Sequence, residues 1–166
     1  QQYKNDLLKN FKTAAKFHLR YVTSDDIQEA VHLYQLHYAE RTPHVRPQDY
    51  EHFLALCQSA KKQGLLLIRK VLNQGERTLA IALLLKDKQR LYNVMSTVTK
   101  EGRQCEANHF LFDELIQEFS GQDVVLDFEG SSIAGIADFY PKFGARNAPY
   151  FLLRYNDLPW PVKYFK

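Results

Sequence analysis

Cysteine, methionine and tryptophan are scarce in this 166-residue sequence, at two, one and one. Cys57 and Cys105 stand far apart and fit no CxxC spacing, so they read as reduced thiols, not as a disulfide framework or a thiolate metal site. Long apolar runs are also missing. No stretch approaches the roughly 18 apolar residues of a membrane helix and none has a signal-peptide pattern, so the expectation is a cytoplasmic protein with no membrane span. The six histidines, His18, His32, His37, His44, His52 and His109, show no HExxH-type spacing, and no metal is expected. Charge of one sign is lacking too. A net +3 is too weak to argue for nucleic acid across the whole surface.

What is present suits one soluble domain spanning residues 1–166, with 45% hydrophobic and 25% charged residues. The charge is concentrated early: Lys4, Lys9, Lys12, Lys16 and Arg20 face only Asp6. Leu7, Leu8, Phe11, Ala14 and Ala15 share one helical face opposite the lysines, which predicts a leading basic helix within residues 1–16. The chain opens on Gln1 and enters this helix almost at once, which reads as an internal or processed boundary. A short strand is expected near Leu19–Val22. Thr23 and Asp26 suggest a capping-box start for a second helix with Ile27, Ala30, Val31, Tyr34 and Tyr38 inward. A proline-bearing loop over 39–47 leads to a third helix at about 48–60.

From Gly64 the texture changes. Leu65–Leu72, Thr78–Lys86 and Arg90–Val98 are apolar runs broken by turn residues, as in an antiparallel meander. A helix over Gln104–Phe119, a buried strand over Asp123–Phe128, a helix over Ser132–Phe143 and a strand over Tyr150–Tyr155 complete the pattern. The expected fold is α/β: a mixed, mostly antiparallel sheet with a central parallel pair and helices on both faces.

The segment Ile136-Ala137-Asp138-Phe139-Tyr140-Pro141-Lys142-Phe143-Gly144-Ala145 resembles the A-x-x-F-Y-x-K-x-G-F stretch that ends many GNAT acyltransferase domains. Leu126-Asp127-Phe128-Glu129-Gly130-Ser131, the opening helix from Tyr3 to Ala15, and Tyr150 resemble more narrowly the second GNAT-like half of FemAB-type proteins. The resemblance implies an acyltransferase working between an acyl donor and an amine acceptor. It also implies a missing N-terminal GNAT-like half.

In that family, phosphates of the donor sit on backbone amides at a helix N-terminus, which is electropositive. The resemblance places that position at Thr99, Arg103, Gln104, Ala107 and Asn108. The family motif Q/R-x-x-G-x-G/A is matched locally by Arg103-Gln104-Cys105-Glu106-Ala107-Asn108, with Glu106 and Asn108 where glycines belong. Acetyl-CoA is the donor implied by the wider family. Aminoacyl-tRNA is the one implied by FemAB-type enzymes, which also tend to lack the glycines, and the basic helix is then a candidate for tRNA phosphates. A catalytically silent GNAT-like binding module is the competing class.

Acyl transfer to an amine needs a base, and a proton for the leaving group. Tyr140 matches the family tyrosine that protonates the leaving thiolate; as a bare residue it reads equally as packing beside Phe139 and Phe143. Glu129 and Asp127 alternate along a strand toward one face, near the carboxyl ends where α/β sheets gather ligands. Glu129 is the first candidate for the base and Asp127 the second, with capping or ion pairing as the alternative for Asp127. His109 reads as a solvated helix histidine or a substrate contact, and Trp160 as an exposed anchor.

Overall fold

A computed structural model describes residues 3–129, 135, 138–149, 153 and 155. Helix α1 (Asn5–Ala14) leads into strand β1 (Arg20–Ser24), then helices α2 (Ile27–Tyr38) and α3 (Pro47–Lys62). The meander follows as β2 (Leu66–Leu72), β3 (Thr78–Lys86) and β4 (Arg90–Val98). A short helix α4 (Lys100–Gln104), helix α5 (Ala107–Glu118), strand β5 (Val125–Asp127) and a 3₁₀ turn (Tyr140–Phe143) complete the described elements.

The five strands lie in sequence order in one sheet, antiparallel except for the parallel β4–β5 pair. This is the predicted mixed sheet. Strand β3 reads as an unbroken apolar run because both of its faces are covered. Ala80, Ala82 and Leu84 join Leu7, Leu111 and Phe112 on the α1/α5 side. Ile81 and Leu83 point the other way, into Val31, Tyr50 and Cys57 from α2 and α3. Period-two alternation thus divides one strand between two cores.

Local chemistry moves several boundaries. Asp26 itself caps α2, accepting the Glu29 amide at 2.8 Å, whereas Ser24 Oγ accepts the Asp26 amide at 3.2 Å; Thr23 stays in β1. The helix expected from Gln104 starts three residues later, as α5, because Glu106 adopts a left-handed φ of 58°, and Lys100–Gln104 forms the separate short helix α4. Strand β5 is shorter than expected, and Val125 is 54% exposed, so it is not the buried strand the sequence suggested. Tyr150–Tyr155 and Trp160 lie outside the described residues, apart from positions 153 and 155. So do residues 132–134 and 136–137 of the expected Ser132–Phe143 helix, whose described end is the 3₁₀ turn with Pro141 at its start.

Arg69 is buried on β2 and its guanidinium donates to Glu118 of α5 at 2.8 Å (Nε) and 2.5 Å (Nη2). Tyr21 Oη donates to the same carboxylate at 2.6 Å. The hydrogen bonds from Arg69 hold the Glu118 carboxyl below its usual value, against the opposing effect of burial. A depressed carboxylate pKa stabilises the fold above the unfolded value of about 4.3, and that stability is lost as pH falls through the folded value. Glu118→Gln should therefore flatten the acid limb of stability against pH and cost roughly 1–2 kcal/mol at neutral pH. Denaturant unfolding from pH 3 to 7 checks this, and an unchanged acid limb would contradict it.

Candidate active site

Strands β4 and β5 pair over only three residues, Arg90–Tyr92 with Val125–Asp127. Beyond Tyr92, β4 runs on to Val98 with no neighbouring strand on that side among the described residues. A one-residue bulge falls at this divergence: Leu83 pairs with Met95 and Leu84 with Asn93, which leaves Val94 between them. Bulges bend a strand and re-aim its side chains. The result is a cleft of about 350 Å³, within the range of small-molecule sites.

Its floor is β4 from Asn93 to Val98. Tyr34, Tyr38, Arg41 and Thr42 form the wall on the α2 side, and Asn108 and Phe112 enter from α5. Phe128, Glu129, Phe139 and Tyr140 close the far side. A second cavity, of about 320 Å³, lies between the end of α5 and β5. Its described lining has no ionisable side chain, whereas the first cleft carries Arg41 and Glu129.

Three polar side chains on the cleft have a buried oxygen with no hydrogen-bond partner among the described residues: Asn93 Oδ1, Thr97 Oγ1 and Asn108 Oδ1. Each such group costs on the order of 1–3 kcal/mol unless something satisfies it. Each is an acceptor to which a water or a polar ligand in the cleft can donate.

The family model for the acetyltransferase (GNAT) domain matches residues 2–139. The chain belongs to this family. Solved structures agree on the fold. A possible acetyltransferase from Clostridium difficile 630 aligns with a TM-score of 0.63 at 12% identity, over 85% of this chain and 99% of its own. A predicted acetyltransferase from Clostridium acetobutylicum, solved with acetyl-CoA, gives 0.62 at 14% identity over 82% and 96%. A Trypanosoma brucei acetyltransferase gives 0.52 at 17% identity over 83% and 99%. No curated protein matches the sequence.

In this GNAT domain Tyr140 opens the 3₁₀ turn, its ring stacked on Phe128 at 4.2 Å and edge-on to Phe112 at 6.4 Å. Burial pushes its phenol above the ordinary tyrosine value, while the Asn93 side chain beside it pulls the other way. The hydroxyl therefore stays protonated at neutral pH and is equipped to donate.

Glu129 lies on the cleft, but not by strand alternation. Strand β5 ends at Asp127, and Glu129 sits past it in a left-handed conformation (φ 62°). Asp127 is turned elsewhere: Arg90 Nη1 donates to its Oδ2 at 2.8 Å and the Glu129 amide to its Oδ1 at 2.9 Å. It pairs and caps, the alternative the sequence left open, and it holds the turn that presents Glu129.

The residues expected around the donor phosphates separate. Thr99 Oγ1 caps α4 by accepting the Gly102 amide at 2.9 Å, so the expected loop is one turn of helix. Arg103 donates to the Val98 carbonyl at 3.3 Å and its guanidinium lies 5.9 Å from the Tyr38 ring. Gln104 is exposed and Ala107 buried. Of the five, Asn108 alone lines the cleft.

Glu106 precedes α5, and its carboxylate accepts from His109 Nδ1 at 2.7 Å. The Asn10 amide of α1 lies 3.0 Å from the other ring nitrogen. An amide nitrogen only donates, so Nε2 accepts and Nδ1 carries the proton. Burial lowers the His109 pKa, overriding the opposite pull of Glu106. The ring is thus a largely enclosed link between α1 and α5, not a solvated histidine. Sequence reasoning missed Asn93 and Thr97. Their signal was there: polar residues inside the apolar run of β4.

Proposed function

We propose that this domain is an N-acyltransferase that moves an acyl group from an acyl-CoA donor to an amine. The supporting observation is the cleft at the β4–β5 divergence, lined by Tyr140, Glu129 and three side-chain oxygens that have no hydrogen-bond partner among the described residues. Those side chains fit the amide groups of a CoA arm, which Asn93, Thr97 and Asn108 would hold. Acetyl-CoA, when bound, supplies an activated thioester and a thiol leaving group. Glu129 takes the proton from the acceptor amine, and Tyr140 Oη gives one to the leaving atom. The α2 wall and the aromatic cluster of Phe112, Phe128 and Phe139 keep water away, which strengthens every polar contact inside.

Glu106 weighs on the choice of donor. Glu106 puts a carboxylate side chain, hydrogen-bonded to His109, at the α5 N-terminus where the family's donor phosphate would approach. It also holds a left-handed conformation that glycine adopts without strain. This favours a second reading, FemAB-like aminoacyl transfer, in which the donor is aminoacyl-tRNA and the exposed lysines of α1 meet phosphates.

Calorimetry with acetyl-CoA separates the two, paired with an acyl-transfer assay on an amine panel. For a CoA-dependent enzyme we expect micromolar binding that Thr97→Val weakens about 2- to 10-fold, the worth of one hydrogen bond. Glu106→Gly should tighten it several-fold. Absence of binding and of transfer in both wild type and Glu106→Gly would remove the CoA reading and leave the aminoacyl donor in first place.

A further inference from the structure

The charge inventory of the cleft carries the acceptor's identity further, resting on the acyltransferase reading above. Among its described lining residues Arg41 is the one cation and Glu129 the one carboxylate. Neither forms an ion pair among the described residues. The remaining walls are aromatic, aliphatic or neutral polar. A single unpaired charge of each sign in a small cleft is complementary to a ligand that carries both.

Arg41 is also held in place. It stands one short turn beyond the end of α2, and its guanidinium lies 5.4 Å from the Tyr38 ring. Cation–π contact of this kind fixes the plane of the group while leaving N–H donors at its edge free. A planar fork of donors suits a carboxylate, which it binds bidentately. Arg103 reaches the same ring but is tied to the Val98 carbonyl, and it does not line the cleft. Arg41, at the end of the α2 wall, and Glu129, in the turn after β5, line the same cleft.

We propose that the acceptor is a small amino acid-type molecule, an amine with a carboxylate close to it, whose carboxylate is read by Arg41 while its amine faces Glu129. Arg41 is then a specificity residue, binding the acceptor and taking no part in proton transfer. The cleft volume, shared with the acyl end of the donor, limits the acceptor to a free amino acid or a very short peptide.

The test compares alanine, leucine and phenylalanine with their C-terminal amides as acceptors at saturating acetyl-CoA, in wild type and Arg41→Gln. Wild type should prefer the acids by at least 10-fold in kcat/KM. Arg41→Gln should bring that ratio close to one, through a raised acceptor KM with acetyl-CoA KM unchanged. Arg41 is exposed, so the variant should keep its thermal midpoint. Equal use of acids and amides by wild type overturns the proposal. So does a rise in acetyl-CoA KM alone, which would give Arg41 to the donor. If no amine is acylated at all, the acyltransferase reading fails instead, and calorimetric titration with leucine still decides this one. Leucine binding lost in Arg41→Gln upholds the carboxylate site, and no binding to wild type ends it.

Discussion

Replacing Tyr140 with phenylalanine is expected to lower kcat for acyl transfer by about two orders of magnitude, the lower end of what a positioned acid contributes. KM for the donor should move by less than about twofold. The substitution is unusually clean. The ring keeps its stack on Phe128 and its edge contacts with Phe112 and Phe139, which carry the packing energy, so the thermal midpoint should hold. Only the hydroxyl is lost, and with it the proton. Because burial raises this phenol above its ordinary value, the wild-type rate should persist past the usual tyrosine range. It should fall only as pH rises through the elevated value. The variant should lack that alkaline limb. Stopped assays across pH 6 to 11 would show both effects. An unchanged kcat would make Tyr140 a packing residue, the other reading its aromatic surroundings allow.

The parts of the fold written in short-range pattern were legible before the structure. Apolar runs broken at Asn73–Gly75 and Asp87–Gln89 predicted the meander, and β3 and β4 match their expected limits. Helical stripes placed α2 and α3 within one or two residues. The readings that needed correction turn on long-range contacts or on unusual backbone. Nothing local announces that His109 meets Asn10 across 99 positions, so its polar side chain read as solvated. Left-handed φ at Glu106 and Glu129 defeats patterning, because glutamate has no preference for that region. One of these delays the start of the expected helix to Ala107, and the other takes Glu129 off the strand whose alternation had suggested its direction. The site was legible by type and only partly by place. Tyr140, Glu129 and Asn108 line the cleft. Asp127, Thr99 and Arg103 serve the turns and contacts around it, because each finds a nearby partner that satisfies it.

Gly102→Ala should be the most disruptive alanine substitution among the described glycines, costing about 3 kcal/mol. No sequence pattern singles out this position, because the need for glycine is purely one of space. A Cβ there would lie 2.2 Å from the Leu79 carbonyl oxygen, 2.9 Å from its carbon and 3.1 Å from Val98 Cγ2. Two of these are backbone atoms of β3, which cannot turn aside as a flexible side chain would. The Thr99 amide donates to that same Leu79 oxygen at 2.9 Å, and Thr99 Oγ1 caps α4 through the Gly102 amide. Glycine therefore lets the first turn of α4 clamp onto the end of β3. An added methyl must lift α4 away and break the clamp, and overpacking of this kind typically costs about 1–3 kcal/mol. With a rigid backbone opposite, the upper end applies. For a domain of this size that corresponds to a fall in thermal midpoint of roughly 6–12 °C. Gly75→Ala is the control: its Cβ would meet only Asn73 Oδ1 at 3.5 Å, and its midpoint should stay within a degree or two. The functional consequence follows from connectivity. Val98 and Thr97 are the last residues of the cleft floor, and α4 is their continuation. Lifting α4 should therefore weaken donor binding even at temperatures where the variant remains folded. Equal midpoints for Gly102→Ala and Gly75→Ala would show that β3 yields more easily than a packed central strand should.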